Sequence, residues 1–373
     1  MTNTSMSRSM SNKSKYIRWF EELGKDSIPK VGGKAANLGE MINAGFPVPP
    51  GFAITIDAFE EFLESAKRFG KKAKIVEIIS KVDPKNTQEL ENTSAFVREI
   101  IEATPVPEDI VEEIREAYLD LCSRTGVDNL PVAVRSSATA EDVPDASFAG
   151  QQDTYLWISG FEAVMKHVVK CWSSLYSPRA IAYRATKGFS HWDVSIGVAV
   201  QKMVNSRSSG VMFTLNPTHG DEAQIVIEAS WGLGEAIVSG SVTPDRFVVD
   251  KVTMEIVERT VSTKLYWTVY DSDKGSVIHG EVPEELREKP SLTDEEIIKL
   301  AEIGKKIEAH YGTPQDIEWA IDKDLPFPEN VFITQSRPET VWSKKKKGPV
   351  IGKKSGYDLI MNRALTRYKV PKS

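Results

Sequence analysis

The sequence contains little cysteine and no long apolar run. Its 373 residues include 2 Cys, Cys122 and Cys171, which lie far apart and form no CxxC motif. This usage argues against a disulfide framework and a cysteine zinc site, and it fits a reducing compartment. No apolar run reaches the roughly 18 residues of a membrane-spanning helix, and the polar first fifteen residues lack the apolar core of a secretory signal. We therefore expect a cytoplasmic protein that does not associate with membranes.

Histidine is also scarce. The 5 His residues are scattered, and they form neither the order of a Ser/His/Asp triad nor a metal-ligand spacing. We interpret each as a structural or surface residue. The hydrophobic content of 40% and the charged content of 27% are typical of a globular chain, whose length fits one large domain or two ordinary ones.

The formal net charge of -6 is unevenly distributed. Residues 343–373 contain ten Lys and Arg but one Asp, so this tail carries +9 and the remaining chain -15. An acidic body is a poor general binder of nucleic acid, so we expect no nucleic-acid partner. The basic tail is either a solvated end or a docking element for an acidic partner, and the sequence leaves both readings open.

Composition and periodicity divide the chain into four predicted segments. Residues 1–15 are rich in Ser, Thr and Asn and are expected to be disordered. Residues 16–195 carry mostly helical patterns and form a first lobe, whereas 196–342 are rich in short β segments separated by turns and form a second lobe. Residues 343–373 are the basic tail.

Three helices are predicted from capping and periodicity. Asp57 is expected to be the N-cap of a helix over 58–69. Phe161–Arg184 has a helical pattern, with Trp172, Leu175 and Tyr176 on an apolar face. Thr293 and Glu296 are spaced as a capping box, which predicts the start of an amphipathic helix over Leu292–His310.

Two segments are candidates for phosphate binding. In Val31-Gly32-Gly33-Lys34, the glycines allow a close backbone approach to an anion, the helix that follows offers free N–H groups, and Lys34 adds a positive charge. A structural turn is the alternative. Arg135 ends a predicted buried strand and suits bidentate contact with phosphate, or instead an ion pair with Glu141 or Asp142. The small, polar residues 136–150 then predict either a flap over a nucleotide or an ordered surface loop.

Two predicted strands, Asp316–Ile321 and Asn330–Gln335, form a third candidate. Residues two apart on a strand share a face, so Asp316 and Glu318 point the same way, and so do Gln335 and Arg337. If the strands pair, oxygen ligands suited to Mg²⁺ converge with a guanidinium. The alternative is a surface salt-bridge ladder. Gly232 and Gly234 form a fourth, weaker candidate, for which a ligand approach and a tight turn are equally good explanations.

The order of these blocks resembles a known family. In chain order they begin at Val31, Val134, Ser209, Trp231, Asp316 and Gln335, and they read VGGKAANLGEM, VRSSATAEDVPDASFAGQQ, SGVMF, WGLGE, DIEW and QSRPET. They are similar to the N-terminal nucleotide-binding domain of phosphoenolpyruvate synthases, a family that includes pyruvate phosphate dikinase and rifampin phosphotransferase. The likeness extends over about residues 16–342.

The resemblance implies an α+β fold of the ATP-grasp type, with ATP held between two lobes. Lys34 and Arg135 match phosphate-binding positions, and Gly150 matches the loop over the phosphates. Gln201, Met203 and Val204 match the hinge that meets adenine, and Glu228 matches an acidic position beside the nucleotide. Glu318 and Gln335 match the Mg²⁺ ligands, and the carboxylate of Asp316 lies beside them in the sequence. Arg337 matches the catalytic arginine.

The resemblance also implies a partner. Larger members of the family phosphorylate a histidine on a swivelling domain, and no histidine here lies in the Gly-rich setting of that domain. We therefore expect pyrophosphoryl transfer from Mg-ATP, giving AMP and phosphate, to a histidine on a separate subunit, as in the divided phenylphosphate synthases that act on phenol. The alternatives are the nucleotide-binding part of a pyruvate-using phosphoenolpyruvate synthase and a non-catalytic, nucleotide-binding regulatory subunit.

Overall fold

The computed structural model describes residues 14–139, 153–187, 190 and 195–342. Three predicted features lie outside these residues: residues 1–13 of the expected disordered segment, the predicted flap from residue 140 onwards with Gly150, and the basic tail. Within the described residues, no helix combines the length and the apolar character needed to cross a membrane.

The described residues form thirteen strands and eleven α-helices. The strands are β1 (Ile17–Trp19), β2 (Gly51–Ile54), β3 (Val132–Ala138), β4 (Thr154–Ile158), β5 (Ile196–Lys202), β6 (Ser206–Phe213), β7 (Gln224–Trp231), β8 (Asp245–Asp250), β9 (Ile256–Thr260), β10 (Tyr266–Asp271), β11 (Ser276–Glu281), β12 (Gln315–Asp322) and β13 (Val331–Pro338). The helices are α1 (Ile28–Val31), α2 (Gly33–Asn43), α3 (Ile56–Arg68), α4 (Lys71–Ile79), α5 (Thr87–Glu102), α6 (Glu108–Thr125), α7 (Phe161–Ser173), α8 (Pro178–Lys187), α9 (Glu235–Val238), α10 (Glu284–Arg287) and α11 (Asp294–Tyr311).

Two antiparallel sheets organise the chain up to Pro338. The first has the strand order β1-β2-β5-β3-β4, and the second has the order β13-β12-β6-β7-β8-β9. A separate hairpin, β10–β11, joins the second sheet through a parallel bridge between Gly232 and Thr268. The prediction of mixed helices and strands is therefore confirmed, while the hairpin was not anticipated.

The position in the chain at which the second sheet begins differs from the predicted boundary between the lobes. β5 was expected to open the second lobe, yet it pairs with β2 and β3 in the middle of the first sheet. Its apolar residues are buried there, including Ile196, Val198 and Val200. The change of sheet therefore falls after Lys202 rather than before Ile196.

Two apolar cores lie against these sheets. The first packs α3 and α7 on the first sheet, with Phe62 and Trp172 fully buried and their ring centroids 4.8 Å apart. The second joins α2 to the second sheet, because Ala36 and Met41 belong to the same buried cluster as Trp319. Helix α2, although it is early in the chain, is thereby anchored beside both sheets.

The helix predictions have different outcomes. The capping box of α11 is confirmed: the Glu296 amide donates to Thr293 Oγ1 at 3.3 Å, and the Thr293 amide donates to the Glu296 carboxylate at 3.0 Å. Asp57 as an N-cap is wrong, because α3 begins at Ile56 with Thr55 as its N-cap and Asp57 lies in its first turn. The helical pattern over Phe161–Arg184 is confirmed apart from one break: a 3-10 turn, Ser174–Tyr176, and Ser177 separate α7 from α8, whose first residue is Pro178.

Candidate functional site

A cavity of about 330 Å³ is lined by residues of both sheets. The first sheet contributes to it through β3, β4 and β5, and the second through β6, β12 and β13, with α9 beside them. The predicted site residues that line it are Lys34, Arg135, Gln201, Met203, Val204, Glu318, Gln335 and Arg337. Glu228 and Asp316 are not among the lining residues, and Gly150 lies outside the described residues.

Lys34 reaches the cavity from the first turn of α2. Its Nζ donates to the carbonyl oxygen of Ser136 at 3.3 Å, which ties the side chain to β3. Gly32, just before the helix, has φ +79°, and a Cβ there would lie 1.9 Å from the Ser137 carbonyl oxygen. The Ala35 amide donates to Ser137 Oγ. The glycine thus permits a close approach to β3 and sets the position from which Lys34 extends, while the approach of this turn to an anion stays a prediction.

Arg135 connects the two sheets across the cavity. Its Nη1 donates to the Thr334 carbonyl oxygen at 3.0 Å, and its Nη2 lies 3.4 Å from Glu318 Oε2. The Arg135 side chain is 12% exposed, and its buried Nε has no hydrogen-bond partner in the described part of the chain. The guanidinium is therefore held between the two sheets, with one buried donor left unsatisfied. The alternative pairing with Glu141 or Asp142 involves residues outside those described.

The predicted pairing of the two strands is confirmed. β12 and β13 are antiparallel, with Asp316 opposite Arg337 and Glu318 opposite Gln335. A bulge follows, because Trp319 pairs with Ile333 and leaves Thr334 as an extra residue in β13. The carboxylate of Glu318 and the amide of Gln335 consequently meet at one wall of the cavity.

Asp316 and Arg337 form an ion pair beside this wall. Arg337 Nε and Nη2 each lie 2.8 Å from Asp316 Oδ2. The Asp316 side chain is 14% exposed and that of Arg337 is 48% exposed, so a mostly buried carboxylate holds a guanidinium that is about half exposed. The predicted place of Asp316 beside the metal ligands remains a prediction, because its carboxylate is engaged by Arg337 here.

Glu228 lies on β7, two strands beyond β12 in the second sheet. It pairs with Val211 of β6 and with Arg246 of β8, and Val211 in turn pairs with Glu318. Burial raises the pKa of the Glu228 carboxyl, Arg246 partly opposes this effect, and the negative charge of Asp316 adds to it. The carboxylate is therefore half-buried in a locally acidic part of the sheet and outside the cavity lining.

The predicted adenine hinge is tied to the first sheet. Gln201 is 2% exposed, and its Nε2 donates to the Pro49 carbonyl oxygen at 3.3 Å. The Met203 amide donates to the Pro131 carbonyl oxygen at 2.9 Å. These two donors are used within the protein, so the predicted contact of the segment with adenine stays a prediction.

The two glycines of the fourth sequence candidate, Gly232 and Gly234, have different surroundings. Gly232 has φ +81°, and a Cβ there would lie 2.4 Å from the Thr268 carbonyl oxygen, so this glycine admits the β10–β11 hairpin. Gly234 and Glu235 instead line the cavity with Leu233. Further lining residues without a sequence signal are Ala133, Thr154, Leu156, Ser206, Val238, Ser239 and Thr334. Their side chains are small or apolar, and only the fold brings them together.

The charge of the lining fits a polyanion. Lys34, Arg135, Lys202 and Arg337 contribute four positive charges, against two negative charges from Glu235 and Glu318. The described residues contain no group of three or more His, Cys, Asp or Glu side chains able to bind a metal ion. A carboxylate beside an amide oxygen, as in Glu318 and Gln335, is nevertheless a donor set that Mg²⁺ accepts when phosphate and water oxygens complete its shell.

Two antiparallel sheets with a cationic cavity between them, together with the matches to known proteins, define an α+β fold of the ATP-grasp type. The family model described as pyruvate phosphate dikinase, AMP/ATP-binding domain, matches residues 28–356. The chain belongs to this family. The family resemblance and the fold class expected from the sequence are thereby confirmed.

Similar proteins are named as phosphoenolpyruvate synthases. A probable phosphoenolpyruvate synthase of Staphylothermus marinus is 48% identical over 362 residues, which cover 91% of this chain and 43% of that protein. The phosphoenolpyruvate synthase of Pyrococcus furiosus is 46% identical over 360 residues, covering 87% and 44%. A probable phosphoenolpyruvate synthase of Methanocaldococcus jannaschii is 50% identical over 333 residues, covering 89% and 27%. The chain spans less than half the length of these relatives.

Proposed function

We propose that the chain binds Mg-ATP in the cavity and transfers a pyrophosphoryl group to a histidine on another domain or subunit, releasing AMP and, after hydrolysis, phosphate. The observation that carries this proposal is the convergence of Lys34, Arg135 and Arg337 with Glu318 and Gln335 at one cavity. Phosphoryl transfer needs little covalent chemistry from the protein, and it depends on positioning and on neutralising the charge of the phosphates.

Each side chain of this group has a proposed role. Lys34 and Arg135, fixed by their contacts with backbone carbonyls, neutralise the phosphates of the nucleotide. Arg337, held by Asp316 and open to solvent, stabilises the group in transfer at the side from which an acceptor approaches. Glu318 and Gln335 hold Mg²⁺, which supplies Lewis-acid neutralisation of the phosphate oxygens when bound.

The acceptor histidine is proposed to lie outside the described residues, because none of the histidines among them lines the cavity. Two final acceptors are compatible with the family: phenol, as in a divided phenylphosphate synthase, and pyruvate, as in the relatives named phosphoenolpyruvate synthase. A non-catalytic regulatory subunit is the less favoured function, because a chain that only senses nucleotide has no need of an arginine aligned by a carboxylate.

Isotope labelling of the chain together with the protein that co-purifies with it tests this proposal. With [β-³²P]ATP we expect an acid-labile, base-stable label on a histidine, and with phenol or pyruvate added we expect the label to move to that acceptor as orthophosphate is released. Label that appears in a small molecule without passing through protein contradicts the proposal.

Two arginine substitutions, one in the cavity and one outside it, separate an effect on catalysis from an effect on complex formation. Arg337→Ala is expected to leave ATP bound but to slow label transfer by about 10²- to 10³-fold, the usual effect of losing one charge-stabilising donor. Arg259→Ala removes an arginine of β9 that pairs with Asp294 and does not line the cavity, so we expect unchanged transfer. If Arg337→Ala forms the complex and transfers label at the original rate, the catalytic role of Arg337 is refuted.

A further inference from the structure

A stacked aromatic pair beside the cavity links the first sheet to the β10–β11 hairpin. The rings of Trp157 on β4 and Tyr270 on β10 have centroids 4.2 Å apart and planes inclined by 9°. β4 is the edge strand of the first sheet, whereas β10 belongs to the hairpin attached to the second. The pair is thus a side-chain contact between parts of the fold that are far apart in sequence.

The backbone at Trp157 is irregular. Val132 pairs with Ile158, but Val134 pairs with Tyr155, so β4 contains one residue more than β3 at this point. Trp157 has φ +56°, a region that bulky side chains rarely adopt, and its indole N–H is buried without a hydrogen-bond partner among the residues described. Both features are unfavourable locally, so the contact with Tyr270 helps to hold this conformation.

Each end of the aromatic pair is connected to one wall of the cavity. Leu156, the neighbour of Trp157, lines the cavity from the first sheet. In the hairpin of Tyr270, the Thr268 carbonyl oxygen accepts a hydrogen bond from the Leu233 amide at 2.8 Å, and Leu233 lines the cavity from the other side. The two walls are therefore joined through the stacked rings.

We propose that Trp157 and Tyr270 are positioning residues that fix the separation of these two walls and thereby determine the affinity of the cavity for nucleotide. This inference rests on the proposed function, because the ligand concerned is the ATP of the same cavity. Neither aromatic ring lines the cavity, so the pair acts through Leu156 and Leu233.

Calorimetric titration of the full chain with Mg-ATP tests the inference. In Tyr270→Ala we expect the dissociation constant to rise about 3- to 10-fold, the effect of losing one aromatic pair. Tyr270→Phe keeps the stacked ring and is expected to bind like the wild type. Tyr266→Ala is the matched control, because this tyrosine is on the same strand and is 56% exposed. If Tyr270→Ala does not fold, Tyr270→Leu retains apolar volume without a ring and provides the same comparison.

The near-ultraviolet circular dichroism of the chain reports the stacking itself. We expect its coupled aromatic signal to weaken in Tyr270→Ala and in Trp157→Leu, and to persist in Tyr266→Ala. The two single variants and the double variant should raise the dissociation constant to a similar extent, because either substitution breaks the same contact. An unchanged dissociation constant in Tyr270→Ala, with the wild type binding ATP, refutes this inference alone, whereas a wild type that binds no ATP refutes the proposed function.

Discussion

Arg135 offers the sharpest single test of the site, because its removal has separable consequences for binding and for stability. Arg135→Met keeps an unbranched side chain of similar reach but removes the guanidinium. A charge-assisted hydrogen bond to a bound anion contributes about 1.5–3 kcal/mol, so the dissociation constant for Mg-ATP should rise by about 10- to 150-fold. The calculation counts one hydrogen bond from the guanidinium, whose side chain lines the cavity, to the bound anion.

The stability cost should be smaller. Arg135 contacts Glu318 at 3.4 Å, a long distance for an ion pair, and Glu318 is 24% exposed, so water replaces part of the lost interaction. Together with the lost bond to the Thr334 carbonyl oxygen, we expect a loss of about 1–2 kcal/mol, or a fall in Tm of roughly 1–3 °C for a chain of this length. Titration at 25 °C and a thermal scan without nucleotide measure the two effects separately.

Arg207→Met is the matched control for this substitution. Arg207 Nη2 lies 2.6 Å from the carboxylate of Glu296, which is 3% exposed, and Arg207 does not line the cavity. The control should therefore lower Tm at least as much as Arg135→Met, because it strands a buried carboxylate, but leave the dissociation constant unchanged. A folded Arg135→Met chain with a lower Tm and a dissociation constant within about twofold of the wild type would show that Arg135 only joins the sheets.

Three further substitutions test the physical account of the fold. Lys264→Met strands the fully buried carboxylate of Asp245 and should cost about 3–5 kcal/mol in urea unfolding, and a loss below about 1 kcal/mol would contradict it. Gly32→Ala should destabilise the chain by more than about 2 kcal/mol, since its Cβ meets a backbone carbonyl, while Gly45→Ala, which has a similar φ but open space, should cost about 1 kcal/mol. Burial raises the pKa of Glu228, so its ionised form disfavours folding once the pH exceeds the unfolded pKa; Glu228→Gln should be the more stable chain at pH 7, and its advantage should vanish as the pH falls below the usual glutamate range. Equal urea midpoints at pH 7 would contradict this reading.

Local sequence rules predicted the elements whose signals are local. The capping box of Thr293 and Glu296 depends on four consecutive residues, and it fixed the start of α11. Asp57 is also a residue type that N-cap positions favour, but it is not the N-cap. Thr55, the extended residue directly after β2, has that position, and the helix begins at Ile56. The position of β5 was missed for a different reason: a strand pattern predicts pairing but not the identity of the partner strand.

Three of the cations that line the cavity were singled out in the sequence, whereas most of its apolar wall was not. Lys34 and Arg135 were weak candidates by themselves, and the order of the motifs along the chain, with Arg337 among them, assigned all three to a site that remains a prediction. Leu156 and Leu233 gave no such signal, since an apolar side chain at the rim of a cavity looks the same in sequence as one in a core. The hairpin that supports Leu233 was equally invisible, because its role depends on a contact with β4 more than a hundred residues earlier in the chain.

The bulge in β13 shows why alternation alone was insufficient at the wall that carries the metal-ligand candidates. In a regular strand, Ile333, Gln335 and Arg337 share one face, and the complete burial of Ile333 would then place Gln335 in the core. The extra residue, Thr334, reverses the face between them, so that Ile333 packs beside Trp319 while Gln335 meets Glu318 at the cavity. The carbonyl oxygen of Thr334 is also the acceptor of the Arg135 bond. One inserted residue thus turns Gln335 from the core to the cavity, and its carbonyl oxygen fixes the guanidinium from the other sheet. At this wall, the polar and apolar requirements of a single strand are reconciled by breaking its period.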